Sequence, residues 1–217
     1  MAAPFRPYRV AVFDFDGTLA DSFPFFLDTF DVLADAHGFR RLDRSQLDSL
    51  RELDARQMMR EFQIPLWKIP RVATHFKRLM AERVHHIRLF DGIAPMLQCL
   101  HAQGTQLALL TSNAEHNVRA VLGAELCALF AHLQCGSSLF GKQRRLRSLL
   151  AHCKAAPHEV LCIGDELRDL QAAHAERLAF GAVAWGYTRP QALLRHGPAL
   201  MFEQPEDICA AFGAGKE

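Results

Sequence analysis

Apolar residues run unbroken through Val10-Ala11-Val12-Phe13 and then meet two carboxylates, Asp14 and Asp16, on either side of Phe15, with Gly17 directly after. An unbroken β-branched and aromatic run predicts a strand over roughly residues 8–13, buried on both faces as in a parallel sheet. Gly17 allows a bend where that strand ends. The period then changes. Phe23, Phe26, Leu27, Phe30, Leu33 and Ala34 recur at helical spacing, which predicts an amphipathic helix ended by Gly38. Further helical stretches surround residues 47–53, 58–62 and 72–84, broken by Pro65 and Pro70. Residues 20–89 therefore read as an all-helical insertion with no convincing strand.

From Asp91-Gly92 onward, strand-like and helix-like stretches alternate. Strands are expected at 106–111, 131–135, 160–164, 181–185 and 199–202. Helices are expected near 94–103, 113–122, 142–153 and 166–177, after Pro190 and at the C-terminal end. Such alternation predicts right-handed βαβ units: an α/β, Rossmann-like parallel sheet with helices on both faces.

Half of the 217 residues are hydrophobic, enough for one sizeable core with an insertion. The net charge of +1 implies no polyanionic partner, so no nucleic acid is expected. Met1-Ala2-Ala3-Pro4-Phe5-Arg6 lacks the apolar core of a signal peptide, and Asp14 interrupts the next apolar run far short of a membrane span. No membrane partner is expected. The six cysteines show no CxxC pair or zinc-type cluster. Read as free thiols, they suit a reducing cytosol, so a cytoplasmic location is expected.

Ligands of open α/β sheets gather at the carboxyl ends of the strands. Those ends carry Asp14 and Asp16, then Thr111-Ser112-Asn113, then Asp165 of Gly164-Asp165-Glu166-Leu167-Arg168-Asp169, while Lys142 opens the helix between the last two. Two carboxylates at the mouth of an apolar strand repel each other unless a cation joins them or one holds a proton. The whole set can bind a divalent cation and a phosphoryl group and supply a nucleophile. Plainer readings exist for some members. Ser112-Asn113-Ala114-Glu115 is a capping-box pattern. Lys142 precedes Arg144, Arg145 and Arg147 in a basic stretch of surface type, and a rim lysine is expected to matter little to folding.

Asp14-Phe15-Asp16-Gly17-Thr18, Thr111, Lys142 and the Gly-Asp-x-x-x-Asp of 164–169 match, in order, the four signature motifs of the haloacid dehalogenase-like hydrolases. The insertion resembles that superfamily's C1-type cap. Residues 14–22, 109–113, 164–169 and 183–186 look most like the phosphoglycolate phosphatase group. The resemblance implies a core of residues 1–19 and 90–217, and a cap of 20–89. It implies an Mg²⁺-dependent phosphatase acting on a small phosphorylated metabolite through an aspartyl-phosphate. Asp14 would be the nucleophile and a metal ligand, and Asp16 the proton donor and acceptor, with its backbone carbonyl on the metal. Asp165 would be a further metal ligand. Asp169 would orient Lys142 or reach the metal through water. Lys142, Thr111, Ser112 and Asn113 would hold phosphate. A phosphosugar, nucleotide or pyrophosphate phosphatase is an alternative, as is a phosphate-binding module without turnover. A dehalogenase proper would lack the second carboxylate, so Asp16 speaks against it. The segment 22–88 carries twelve Lys and Arg against nine Asp and Glu, so the cap is expected to aim a cation at an anionic substrate and to open about hinges near 19–22 and 89–92.

Overall fold

A computed structural model describes residues 8–136 and 141–213; the N-terminal hexapeptide considered above lies outside them. In chain order the strands are β1 (Val10–Phe13), β2 (Ala20–Asp21), β3 (Arg88–Leu89), β4 (Gln106–Leu110), β5 (Phe130–Gln134), β6 (Val160–Gly164), β7 (Ala179–Val183) and β8 (Leu200–Phe202). The helices are α1 (Phe23–His37), α2 (Leu47–Leu50), α3 (Ala55–Glu61), α4 (Ile69–Glu82), α5 (Ile93–Ala102), α6 (Glu115–Cys127), α7 (Lys142–Cys153), α8 (Leu167–Ala175), α9 (Pro190–Leu194) and α10 (Pro205–Gly213).

Six strands form one parallel sheet in the order β5-β4-β1-β6-β7-β8. Its centre explains the unbroken apolar run. Ala11 and Phe13 face a cluster with Leu97 and Leu100 of α5, Val118 of α6 and Ile208 of α10. Val10 and Val12 face the opposite cluster, with Leu146 of α7, Leu170 and Ala173 of α8 and Leu193 of α9. Side chains alternate across a strand, and helices cover both faces, so no polar position survives along β1.

In sequence, helices α1–α4 fall between β1 and the other strands of the sheet, and they have a small cluster of their own around Phe30, Leu42, Leu50 and Phe62. Gly38 ends α1 in the left-handed conformation, φ 65°. Pro70 sits in the first turn of α4 rather than breaking it, because proline's missing N–H has no partner there anyway. The insertion also contains strand. β2 and β3 pair antiparallel, Ala20 with Leu89 and Asp21 with Arg88, and form a two-residue ribbon where the chain enters and leaves it. Strands this short leave no periodic signal. β7 starts two residues earlier than expected.

Cys99 of α5 and Cys209 of α10 form a disulfide, which corrects the reading of six free thiols; the other four cysteines are unpaired. The cysteine pattern accordingly carries no inference about compartment. Among the described residues no helix is long and apolar enough to cross a membrane.

Candidate active site

Strand order builds the site. β1 lies between β4 and β6, so the residues just past their carboxyl ends, Asp14, Thr111 and Asp165, become neighbours although they are far apart in sequence. Asp14 continues the ladder by one bond, its N–H donating to Ile163 O at 2.9 Å. Lys142 at the first turn of α7 and Asp169 in the first turn of α8 complete the group.

The group is buried, and it is charged. The Lys142 ammonium lies 2.7 Å from Asp14 Oδ1 and 2.5 Å from Asp169 Oδ1. Apart from that ammonium, both oxygens of Asp14 and of Asp169 lack hydrogen-bond partners. Asp165 is held differently: Oδ1 accepts from Thr18 Oγ1 at 2.8 Å and Oδ2 from the Tyr187 N–H at 2.7 Å. Oxygens of Asp14, Asp165 and Asp169 lie within 4.8 Å of one another. Three carboxylates at that separation repel strongly. Burial, then the neighbouring Asp14 charge, pushes Asp169 up to about 7 against the lowering effect of Lys142 and Arg168. Asp165 is raised by burial and by Glu166, Asp14 and Asp169. Burial alone would lower Lys142, but the charges of Asp14 and Asp169 outweigh it and raise the ammonium above its ordinary range. Orphaned buried oxygens in an all-oxygen donor set suit a hard divalent cation such as Mg²⁺.

Two glycines shape the Asp165 cradle. A Cβ on Gly17, φ 76°, would stand 2.3 Å from Asp165 Oδ2, and one on Gly186 would stand 2.1 Å from Asp165 Cβ. Both loops close on the carboxylate because neither carries a side chain.

Asp16 lies beside this cluster, not in it. Its Oδ1 accepts from Ser22 Oγ at 2.9 Å, and the Asn113 Nδ2 amide reaches both oxygens at 3.1 Å. Burial and the Asp14 charge push Asp16 up to about 6, against those lowering hydrogen bonds. Thr111 is buried, and its Oγ1 accepts from the Asn113 N–H at 3.0 Å, leaving its own proton free to donate. Asn113 spends its carbonyl on Ala114 N–H and Asn117 Nδ2, so its side chain is directed at Asp16 and the helix start. Ser112 does not cap α6; Ala114 takes that position without a side-chain bond. Sequence reasoning overlooked Ser22, Tyr187, Thr18 and Gly186. Thr18, Ser22 and Gly186 stood inside the matched stretches and were the detectable signal.

A cavity of about 410 Å³ opens between the insertion and the core, lined by Asp54, Arg56, Lys142, Gln143, Arg168 and Gln171 among others. The insertion is clasped to the core beside it. Arg51 donates from Nε to Tyr187 O and from a terminal nitrogen to Gly186 O, both at 2.8 Å, and its guanidinium lies over the Phe23 ring.

An open parallel sheet with buried carboxylates and a hydroxyl at adjoining strand ends, and a lysine at a neighbouring helix start, holds the groups that a hydrolase of the phosphoryl-transfer class needs. Comparison with known proteins makes that class particular. The family model described as haloacid dehalogenase-like hydrolase matches residues 11–183, and the chain belongs to that family. It is 32% identical to a phosphoglycolate phosphatase of Synechococcus elongatus, over 94% of this chain and 96% of that one. A phosphoglycolate phosphatase of Xanthomonas campestris is 29% identical over 82% of this chain and 84% of its own. A solved structure from Lactobacillus plantarum shares the fold at a TM-score of 0.82 and 24% identity, covering 95% of this chain and all of that one. The protein is a phosphatase of the haloacid dehalogenase-like family.

Proposed function

We propose that this phosphatase hydrolyses a small, doubly anionic phosphate monoester of the phosphoglycolate kind through an aspartyl-phosphate, with Asp14 as nucleophile and Asp16 as acid and base. The observation that carries the reading is the contrast between the two carboxylates of one strand end. Asp14 is buried, held by Lys142 and otherwise unpartnered, while Asp16 retains its proton to about pH 6. A proton carrier beside a carboxylate that an ammonium holds divides proton donor from nucleophile.

Asp14, Asp165 and the Asp16 carbonyl would hold Mg²⁺, and Asp169 would orient Lys142 or reach the metal through water. The cation offsets the repulsion between carboxylate and phosphate. Lys142 and the Thr111 hydroxyl bind the phosphate oxygens. The Asp14 oxygen bonds to phosphorus as the ester P–O bond breaks, and the Asp16 proton passes to the leaving oxygen. Asp16, now ionised, takes a proton from water while the water oxygen attacks phosphorus. The bond to Asp14 then breaks and inorganic phosphate leaves. The core of 1–19 and 90–217 performs this chemistry. The cap of 20–89 closes the site from bulk water, and the cavity lined by Arg56 and Arg168 receives the substrate's second anion.

A panel of phosphorylated metabolites, assayed with Mg²⁺ and with EDTA, tests the reading. Turnover is expected only with metal and is expected to be best on a short phosphate ester carrying a carboxylate. Full activity in EDTA would refute the metal role, and a preference for neutral leaving groups would refute the anion-reading cavity.

A further inference from the structure

Asp16 is not held by the core alone. Its Oδ1 takes the Ser22 hydroxyl at 2.9 Å, and the Tyr187 hydroxyl stands 2.9 Å from Ser22 Oγ. The direction of this chain is fixed by what each group can do. Ser22 donates its one hydroxyl proton to Asp16 Oδ1, so toward Tyr187 it can only accept, and the Tyr187 O–H donates. Ser22 is completely buried, so water does not compete for these bonds. Tyr187 is pinned at three points: its N–H on Asp165, its carbonyl on Arg51, and its ring against Phe23 at 4.9 Å and Phe26 at 5.8 Å between centroids.

We propose that Tyr187 and Ser22 form a hydrogen-bonded strut that holds the Asp16 carboxylate in its working pose and ties that pose to the seating of the cap. The geometry of the ends gives the coupling. Ser22 immediately follows β2 and precedes α1, where the chain enters the insertion. Tyr187 belongs to the core loop after β7, and its ring leans on two α1 phenylalanines. The other support of Asp16 repeats the pattern, since Asn113 Nδ2 also lies 3.0 Å from Met80 Sδ of α4. Swinging the cap away moves Ser22, Phe23 and Met80 together, and Asp16 loses its orientation in the same motion. Ser22 and Tyr187 are positioning residues. They act through Asp16, so the inference rests on the acid–base role given to Asp16 above.

The test uses Tyr187→Phe, which keeps the ring and removes only the hydroxyl, and Ser22→Ala, which removes the link itself. Each is compared with Asp16→Asn for the single-turnover rate of aspartyl-phosphate formation. The two esters are the best alkyl phosphate from the metabolite panel and para-nitrophenyl phosphate, whose leaving group needs little protonation. One lost positioning hydrogen bond should slow the alkyl ester by about tenfold in both variants. The aryl ester should change by less than about twofold and KM should hardly move, as expected when only proton delivery is impaired. Should Tyr187→Phe lower Tm enough to obscure its rates, Ser22→Ala carries the same comparison. If Asp16→Asn shows the leaving-group contrast and the two strut variants do not, the strut is overturned while Asp16 keeps its role. If Asp16→Asn itself slows both esters equally, the acid role fails first and takes the strut with it.

Discussion

Replacing Lys142 with methionine is the sharpest test of the site as an electrostatic unit. The ammonium is buried and shared by Asp14 at 2.7 Å and Asp169 at 2.5 Å, so the expectation of a rim lysine with little bearing on folding is corrected. Methionine fills similar space without the charge and removes the ion-pair partner of Asp14 and Asp169. Removing one partner of a buried ion pair costs about 3–5 kcal/mol. A kilocalorie shifts Tm by roughly 2–4 °C at this chain length, so the loss is about 6–20 °C.

The same charges set the pH dependence. Asp169 titrates near 7 in the folded protein even beside the ammonium, against about 4 for an unfolded carboxyl. Between those values the folded state binds more protons than the unfolded one, so stability falls as pH rises. Losing Lys142 deepens that fall. The deficit of Lys142→Met should therefore be largest at pH 8 in EDTA, shrink at pH 5 where Asp169 is protonated, and shrink again when Mg²⁺ supplies another positive charge. Differential scanning calorimetry of both proteins across pH 5–8, with EDTA and with Mg²⁺, measures all three. A Tm equal to wild type at pH 8 in EDTA, or a deficit unchanged by pH, would refute the reasoning.

Asp14→Asn should abolish both turnover and the phosphorylated intermediate, detected by mass spectrometry; a surviving intermediate would move the nucleophile elsewhere. Asp16→Asn should lose about 10²–10⁴-fold on ordinary esters, with partial recovery on an activated aryl ester, and equal loss on both counts against its acid role. Gly186→Ala should fold but lose activity and the Tm gain from Mg²⁺, because the new Cβ would fall 2.1 Å from Asp165 Cβ; wild-type behaviour would mean that the loop yields freely. Arg51→Met removes two charge-assisted bonds from cap to core, which should lower kcat/KM by about tenfold or more; unchanged kinetics would show that the clasp plays no part in turnover.

The central fold was legible because burial on both faces leaves its mark residue by residue. β1, β4 and β6 read as apolar runs, and the polar residues just beyond them are where the structure places the carboxylates and the threonine. What escaped is of two kinds. Two-residue strands such as β2 and β3 have too few positions to show a period. Contacts that span the chain leave no local trace: Cys99 meets Cys209 across 110 residues, and Tyr187 meets Ser22 across 165. Lys142 shows the limit in one residue. Its place at a helix start was readable, but the arginines that follow it gave a surface appearance to a side chain that the fold buries.

The place where the insertion leaves the core also has a consequence for catalysis. The chain departs through β2 at Ala20–Asp21 and returns through β3 at Arg88–Leu89, a ribbon that begins four residues after Asp16. An insertion at a remote loop could move without touching the chemistry. Here, Gly17 N–H donates to Ala20 O, and Phe90 N–H donates to Leu19 O. The turn that carries Asp16 is therefore bonded directly to the first strand of the ribbon, and the returning chain is bonded to that turn. Asp14 is exempt, because it directly follows β1 and is locked to β6 by its bond to Ile163. Asp14, the proposed nucleophile, is thus fixed to the sheet while Asp16, the proposed proton carrier, is fixed to the ribbon through which the insertion leaves the core. In the proposed mechanism, a cap movement would change when the proton is delivered without disturbing the atom that attacks phosphorus.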